Sequence, residues 1–361
     1  MPDLKMTIIM PRNETAKKNE RLADVLEYAF YNKKHDVINT ADELRDYLDA
    51  QDTGHLLLFV IELGNTGINM EYYRMLHFIR EHENCLEDYI GGLVVDGDSD
   101  LFTKSVAGEL TFTANCAGCT FVGKPLVEGT KTLSNFAIIA QNMNTDCQTA
   151  YKESVRVLVN DICTFNYPQS IRPNLLVLHA SNHETSNTFA LWNQVKTGLD
   201  DFDITEIGLR NGDLCDCSGC PYKMCLHFGE KGSCFYGGVI VDDVYPAVKK
   251  ANAILMLCPN YNDSLSANLT AFINRLTALF RTTRFYDKAL FAIVVSGYSG
   301  SDIVAKQLIS ALNMNKTFYL PGHFAVMETA NNPGTAVNLP GIEERISRFT
   351  EDIRKTLKRE G

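Results

Sequence analysis

The chain has 361 residues, enough for two or three domains each with its own core, and its 45% hydrophobic and 22% charged residues are ordinary for a globular protein. A net charge of −10 with no basic stripe argues against a nucleic-acid binder, because phosphates would stay unneutralised. No apolar run reaches the length of a membrane span and the first residues lack the apolar stretch of a signal peptide, so the expectation is a cytoplasmic protein without membrane attachment. There the 11 cysteines read as thiols, metal or cluster ligands, or redox groups rather than a disulfide framework.

In chain order the first half alternates strands and helices. Residues 7–10 read as a strand, 19–31 as a helix and 56–61 (LLLFVI) as a buried strand. Residues 70–81 (MEYYRMLHFIRE) read as a helix, 90–95 (IGGLVV) as a strand and 101–112 as a helix. A fifth strand at 120–122 and a helix from Leu133 complete a five-strand doubly wound unit. A helix over 146–165 then leads to the linker NYPQSIRPN, whose Pro168 and Pro173 mark a domain boundary.

The second half opens on Leu175 to Leu178, an apolar run that suits a strand buried on both faces. It is followed by the polar loop Ser181 to Thr188 and a helical pattern through Leu191, Trp192, Val195 and Leu199. Hydroxyls, amides and the free N–H groups of a helix N-terminus can wrap a phosphate, though Ser186 or Asn187 can equally be no more than a helix cap. From Ala253 a second buried strand ends in Pro259-Asn260-Tyr261 before a helix with Leu265, Leu269, Phe272, Leu276 and Leu279 on one face. Residues 290–295 (LFAIVV) form another strand, leading into Ser296-Gly297-Tyr298-Ser299-Gly300-Ser301 and a further helix. The three loops fall at the carboxyl edge of one parallel sheet, where open α/β sheets bind ligands.

Three stretches in order, SNHETSNT (181–188), PNYNDSLSANLTAFINRL (259–276) and SGYSG (296–300), resemble the NADPH-dependent FMN reductase family of the flavodoxin-like superfamily. The likeness extends over roughly residues 174–361. It implies that Ser181, Asn182, Ser186, Asn187 and Thr188 hold the FMN phosphate, and that Pro259, Asn260, Tyr261, Asn262, Ser296, Gly297 and Tyr298 flank the isoalloxazine ring. No catalytic acid or base is implied, since the flavin carries the chemistry. The family's usual Gly-Ser-x-Arg opening of the first loop is here His179-Ala180-Ser181-Asn182. His183 reads equally as an anion donor or a solvated loop residue, and Arg275 and Arg281 read as surface charges.

The halves read as a diverged internal duplication. Leu93-Val94-Val95-Asp96-Gly97 aligns with Ile293-Val294-Val295-Ser296-Gly297, but Lys17-Lys18-Asn19 stands against Ser186-Asn187-Thr188, and Ile61-Glu62-Leu63 against Pro259-Asn260-Tyr261. Shared fold does not carry a shared site.

Between its second and third strands the second half inserts residues 211–240, with Cys217-x2-Cys220-x4-Cys225-x8-Cys234. Clustered thiolates suit a soft metal. The position resembles the motif of iron–sulfur flavoproteins, which carry a [4Fe–4S] cluster beside FMN. It also resembles the cluster-free reductases, with Cys217-Ser218-Gly219-Cys220, Gly232-Ser233-Cys234 and an Asp242-Asp243 pair capping the next helix. A tetrathiolate zinc site is a third reading. The cluster-free loop is the working reading; Cys217, Cys220, Cys225 and Cys234 are the ligands if an iron–sulfur cluster or zinc is bound. Cys116 and Cys119 read as ordinary thiols, and Cys85, Cys147, Cys163 and Cys258 as core.

The expectation is therefore an α/β chain of two tandem flavodoxin-like doubly wound parallel sheets with helices on both faces. Residues 1–166 form a degenerate domain without flavin, and residues 172–361 an FMN-binding domain with the cysteine-rich insertion. The resemblance implies an oxidoreductase passing hydride from NAD(P)H to FMN and on to a quinone, nitro or other small acceptor, working as a homodimer. The alternative is an iron–sulfur flavoprotein carrying electrons to a protein partner.

Overall fold

The computed structural model describes residues 5–13, 19–50, 55–181, 184–212 and 214–359. The chain divides into two compact units, Met1–Asn166 and Tyr167–Gly361. The first runs β1 (Met6–Ile9), α1 (Glu20–Ala29), β2 (His35–Ile38), α2 (Ala41–Asp49), β3 (Leu56–Leu63), α3 (Met70–Glu81), β4 (Ile90–Gly97), α4 (Thr103–Cys116), β5 (Thr120–Gly129), α5 (Ala137–Met143) and α6 (Cys147–Thr164). Its strands pair in parallel in the order β2-β1-β3-β4-β5.

Burial explains which strands the sequence announces. β3 and β4 lie inside the sheet with nearly every residue buried, so they read as unbroken apolar runs. β2 is an edge strand with three exposed residues, and its HDVI carries no such run. β5 reaches Gly129, well past residue 122, because the register against β4 shifts after Gly91 and Lys124 takes a φ of 56° there. On one face Leu22 and Val25 of α1 and Val155, Leu158 and Val159 of α6 pack with Ile8, Leu58 and Val94.

The second unit runs β6 (Asn174–His179), α7 (Asn187–Thr197), β7 (Asp203–Gly208), α8 (Tyr222–Glu230), α9 (Tyr245–Lys250), β8 (Ala253–Pro259), α10 (Ala267–Phe280), β9 (Ala289–Ser296), α11 (Ser301–Leu308), β10 (Ala325–Thr329) and α12 (Ile342–Leu357). The strands are again parallel, in the order β10-β9-β8-β6-β7. Counted from each unit's own first strand, both sheets have the order 2-1-3-4-5 of the flavodoxin-like doubly wound fold. The only tryptophan, Trp192 on α7, is fully buried and its indole N–H donates to Glu206 on β7 at 3.1 Å. That bond, with Lys196 reaching the same carboxylate at 2.6 Å, fastens the edge strand to the helix layer.

One local expectation is corrected. Asp242 and Asp243 do not cap a helix: a π-helical turn, Ile240–Val244, runs directly into α9, and both aspartates lie inside it without a capping bond. The acidic pair instead sits in the first turn, where the helix dipole favours negative charge.

Candidate functional site

The second sheet has its switch point between β6 and β8, because the chain builds outward to β7 on one side of β6 and to β8 on the other. Ligands of such sheets bind in the crevice at the carboxyl ends on either side of that point. The loops after β6, β8, β9 and β10 all leave from this edge.

After β6, three hydroxyls form a chain at the start of α7. Ser186 is the N-cap and accepts from the Phe189 N–H at 3.3 Å; its Oγ lies 2.9 Å from Thr188 Oγ1, which in turn lies 3.4 Å from Ser181 Oγ. Ser181 and Thr188 are buried. The α7 N-terminus adds backbone donors and the positive end of its dipole. Asn187 is engaged elsewhere: its amide donates to the carbonyls of Ala330 and Asn332 at 3.0 and 2.9 Å, and its Oδ1 accepts from Ala336 N–H at 3.2 Å. Its side chain therefore fastens the loop after β10 to α7. That loop, with its Asn331-Asn332-Pro333-Gly334 turn signal, is a fourth contributor which the three-motif reading left out. Asn182 and His183, like Lys17 and Lys18, lie outside the described residues.

The loops after β8 and β9 are tied into one platform by Asn260. Its Nδ2 donates to Ser296 Oγ and to the Ser299 carbonyl, both at 3.0 Å, and Ser296 lies 2.7 Å from Ser301 Oγ. Beyond Pro259 the chain folds into a hairpin turn in which Tyr261 and Ser264 exchange backbone hydrogen bonds, with Asn262 and Asp263 at φ of 53° and 57°. Two consecutive left-handed residues make a type I′ turn, for which Asn and Asp are suited side chains. Gly300, at φ 88°, lets the second loop approach: a Cβ there would lie 2.3 Å from Asp263 Oδ1. Tyr261 and Tyr298 stand clear of this platform at 56% and 82% exposure, so neither is a packing residue. Asn260 Oδ1 is buried with no hydrogen-bond donor facing it among the described residues.

Of the predicted ring neighbours Asn260 and Ser296 touch directly, and the hydroxyls of Ser181, Ser186 and Thr188 form a second group on the same edge.

The insertion holds a separate feature. Cys217, Cys220, Cys225 and Cys234 all line one cavity of about 170 Å³ against the side of α10. Among the described residues no three His, Cys, Asp or Glu side chains close round a single metal ion, so the thiols border a space rather than converge on a point. Arg275 also lines it and corrects the reading of a surface charge: it is 2% exposed, bonded to the Gly237 carbonyl at 2.6 Å and the Cys215 carbonyl at 3.4 Å. Arg281, at the same cavity, is exposed and stacks 4.7 Å from the Tyr222 ring centre. Elsewhere, burial pushes the thiols of Cys119 and Cys258 well up, and that of Cys85 to about 11, which makes them poor nucleophiles. Cys258 is core as expected, whereas Cys85, Cys147 and Cys163 are only half-buried.

No described helix is long and apolar enough to cross a membrane. No curated protein matches the chain. Among solved structures, a flavodoxin, WrbA-like protein from Agrobacterium tumefaciens aligns at 13% identity over 51% of this chain and 99% of that one, with a TM-score of 0.32. An NAD(P)H:quinone oxidoreductase from Methanothermobacter marburgensis aligns at 14% identity over 52% and 100%, with a TM-score of 0.38. A putative quinone reductase from Klebsiella pneumoniae aligns at 14% identity over 51% and 84%, with a TM-score of 0.36. Residues 173–332, which contain all four edge loops up to Asn332, match the family model described as NADPH-dependent FMN reductase. Over residues 173–332 the second unit of the chain is thus similar to the NADPH-dependent FMN reductase family.

Proposed function

We propose that the protein is a cytoplasmic, homodimeric FMN-dependent oxidoreductase that takes hydride from NAD(P)H and passes electrons to a small acceptor such as a quinone or nitro compound. The observation that carries this reading is the convergence, at the switch point of the family-matched unit, of a hydroxyl-lined helix N-terminus and a platform bearing two exposed tyrosines. The residues suit FMN. Ser181, Ser186, Thr188 and the backbone donors of α7 offer hydrogen bonds and a favourable dipole to a phosphate. The unpartnered Asn260 Oδ1 offers an acceptor to a ring N–H, which would remove the cost of a buried orphan. Tyr261 and Tyr298 offer aromatic faces at the rim.

Bound FMN supplies the hydride and electron chemistry. The chain's own part is to hold the phosphate at α7, to keep the two loops in register through Asn260, and to leave room at the tyrosines for nicotinamide and acceptor. Pro259, Asn262 and Gly297 act through the backbone course of those loops, and Asn187 by fastening the fourth loop. The test is the absorption spectrum of the purified protein and its titration with FMN, followed by NADH and NADPH oxidation with a quinone. Flavin bands and acceptor-dependent oxidation are expected; a protein that neither contains nor binds FMN overturns the reading. Light scattering on the same sample reads the oligomeric state.

A second reading, an iron–sulfur flavoprotein that transfers electrons to a protein partner, is favoured by one observation: the four cysteines border a common cavity. A polynuclear cluster spreads its thiolate ligands around a core, as a single ion does not. Stoichiometric iron and acid-labile sulfide in anaerobically prepared protein would support it; their absence after reconstitution would remove it.

A further inference from the structure

Arg275 is a cation buried to 2% exposure. Among the described residues no carboxylate pairs with it: its guanidinium meets two backbone carbonyls and, at 3.9 Å, the Cys215 sulfur, and its Nε has no hydrogen-bond partner among them. A guanidinium cannot shed its charge as a lysine can, so burying it unpaired is costly. The fold accepts that cost at one place, the wall of a cavity whose other residues include four thiols, two phenylalanines and a second arginine.

We propose that Arg275 is the counter-charge of an anionic, thiolate-held iron–sulfur cluster in this cavity, with the exposed Arg281 as a weaker second. This rests on the second reading above and deepens it. Four thiolates around an iron–sulfur core leave a net negative group, and the thiol wall and the arginine wall belong to the same space. A nearby fixed positive charge stabilises the more negative, reduced state and so raises the reduction potential. The location gives that tuning a use. α10 starts at the carboxyl edge where the flavin loops leave the sheet, and Arg275 lies ~12 Å along it from Ala267 at ~1.5 Å per residue. The cavity and the candidate flavin edge are therefore served by one helix. Arg275 is a tuning residue, not a ligand and not a catalytic group.

The test uses the full chain, reconstituted anaerobically with ferrous iron and sulfide, in wild-type, Arg275→Lys, Arg275→Gln, Arg281→Gln and Cys217→Ser/Cys234→Ser forms. Iron and sulfide are counted, and the reduction of the cluster is titrated by its low-temperature electron paramagnetic resonance signal, which flavin absorption does not obscure. Wild type and R275K are expected to hold iron at similar potentials, and the double serine variant to hold none. In R275Q the reduction equilibrium is expected to weaken about tenfold, which is ~59 mV for a one-electron couple, and in R281Q by a smaller factor in the same direction. Wild-type protein that takes up no iron overturns the cluster reading, and the Arg275 assignment with it. Iron uptake with R275Q at the wild-type potential overturns the Arg275 assignment alone. If R275Q does not fold by circular dichroism, R281Q decides, because Arg281 is exposed and its removal leaves the fold standing; an unchanged potential there also overturns the proposal.

Discussion

The carboxyl edges of the two sheets have the same topology and opposite contents. In the second unit Thr188, two residues past the N-cap Ser186, and Ser296, at the end of β9, leave hydroxyls on the edge. In the first, the residue two past the N-cap Asn19 is Arg21, and the end of β4 carries Asp96. Arg21 clamps Asp96 with two bonds, of 2.6 and 3.1 Å, while Asn19 and Tyr151 complete the carboxylate's shell at 2.8 and 3.0 Å. The guanidinium also reaches the Thr130 carbonyl after β5 at 3.0 Å, and a Cβ on Gly129 would lie 2.1 Å from Asp96 Oδ2, so the packing leaves no spare room. An ion pair thus occupies the first unit's edge where the second keeps hydroxyls and an unpartnered acceptor. We propose on this ground that the first unit binds no flavin: a phosphate there would have to break a buried, fully bonded pair.

The largest effect expected from this comparison is the loss of Asp96. It is wholly buried, and Asp96→Ala leaves Arg21 and Tyr151 without their acceptor, so unfolding of the first unit in urea should be easier by ~3 kcal/mol, at the low end of the range for broken buried pairs because Arg21 retains some exposure. Ser296→Ala, the matching change in the second unit, removes neutral hydrogen bonds and should cost only ~1 kcal/mol. Equal costs would end the contrast. The graft Arg21→Thr/Asp96→Ser carries the second unit's residues into the first and removes both charges together. It should therefore be clearly more stable than Asp96→Ala alone, a coupling that a double-mutant cycle reads directly.

How much of this was legible in the sequence depended on how local the cause was. The strands β3, β6, β8 and β9 announce themselves because burial on both faces demands unbroken apolar runs. The hydroxyl loop and the Asn-Asp turn are equally local, since caps and left-handed turns select their own residue types. Arg275 is different. It lies off the apolar stripe of α10 and reads as a surface charge; what buries it is the insertion, whose Cys215 and Gly237 carbonyls fold back over the helix. The Arg21–Asp96 pair was hidden for the same reason, since its two halves come from the first helix and the fourth strand, and no spacing rule joins them. The bracing role of Asn187 depends likewise on a loop after β10 that only the folded chain brings near.

Smaller changes sharpen the picture of the second edge. Ser186→Ala removes the α7 cap and should cost ~1 kcal/mol in stability while weakening FMN binding in a fluorescence titration. Tyr298→Ser should leave the urea midpoint within ~0.5 kcal/mol, as for an exposed site, yet raise KM for the acceptor. A stability loss as large as that of Ser186→Ala would make Tyr298 a structural residue after all.

The smallest effect concerns Glu62, which sits beside Asp96 in the register where the second unit has Asn260 beside Ser296. Burial, and then the charges of Asp96 and Asp98, raise its carboxyl above the ordinary value. A carboxyl raised in the folded state holds its proton more tightly there than in the unfolded chain. Its contribution to stability is therefore fully present below the unfolded value of about 4.3 and declines as the pH rises through the raised folded value. Glu62→Gln keeps the shape and removes the titration. It should be no less stable than wild type at pH 7 and should flatten the pH dependence of the urea midpoint in the window just above pH 4. A midpoint that falls with pH equally in both proteins would show that Glu62 is indifferent to its neighbours, and that the first unit's edge, unlike its ion pair, imposes no charge cost on the position that Asn260 fills in the second.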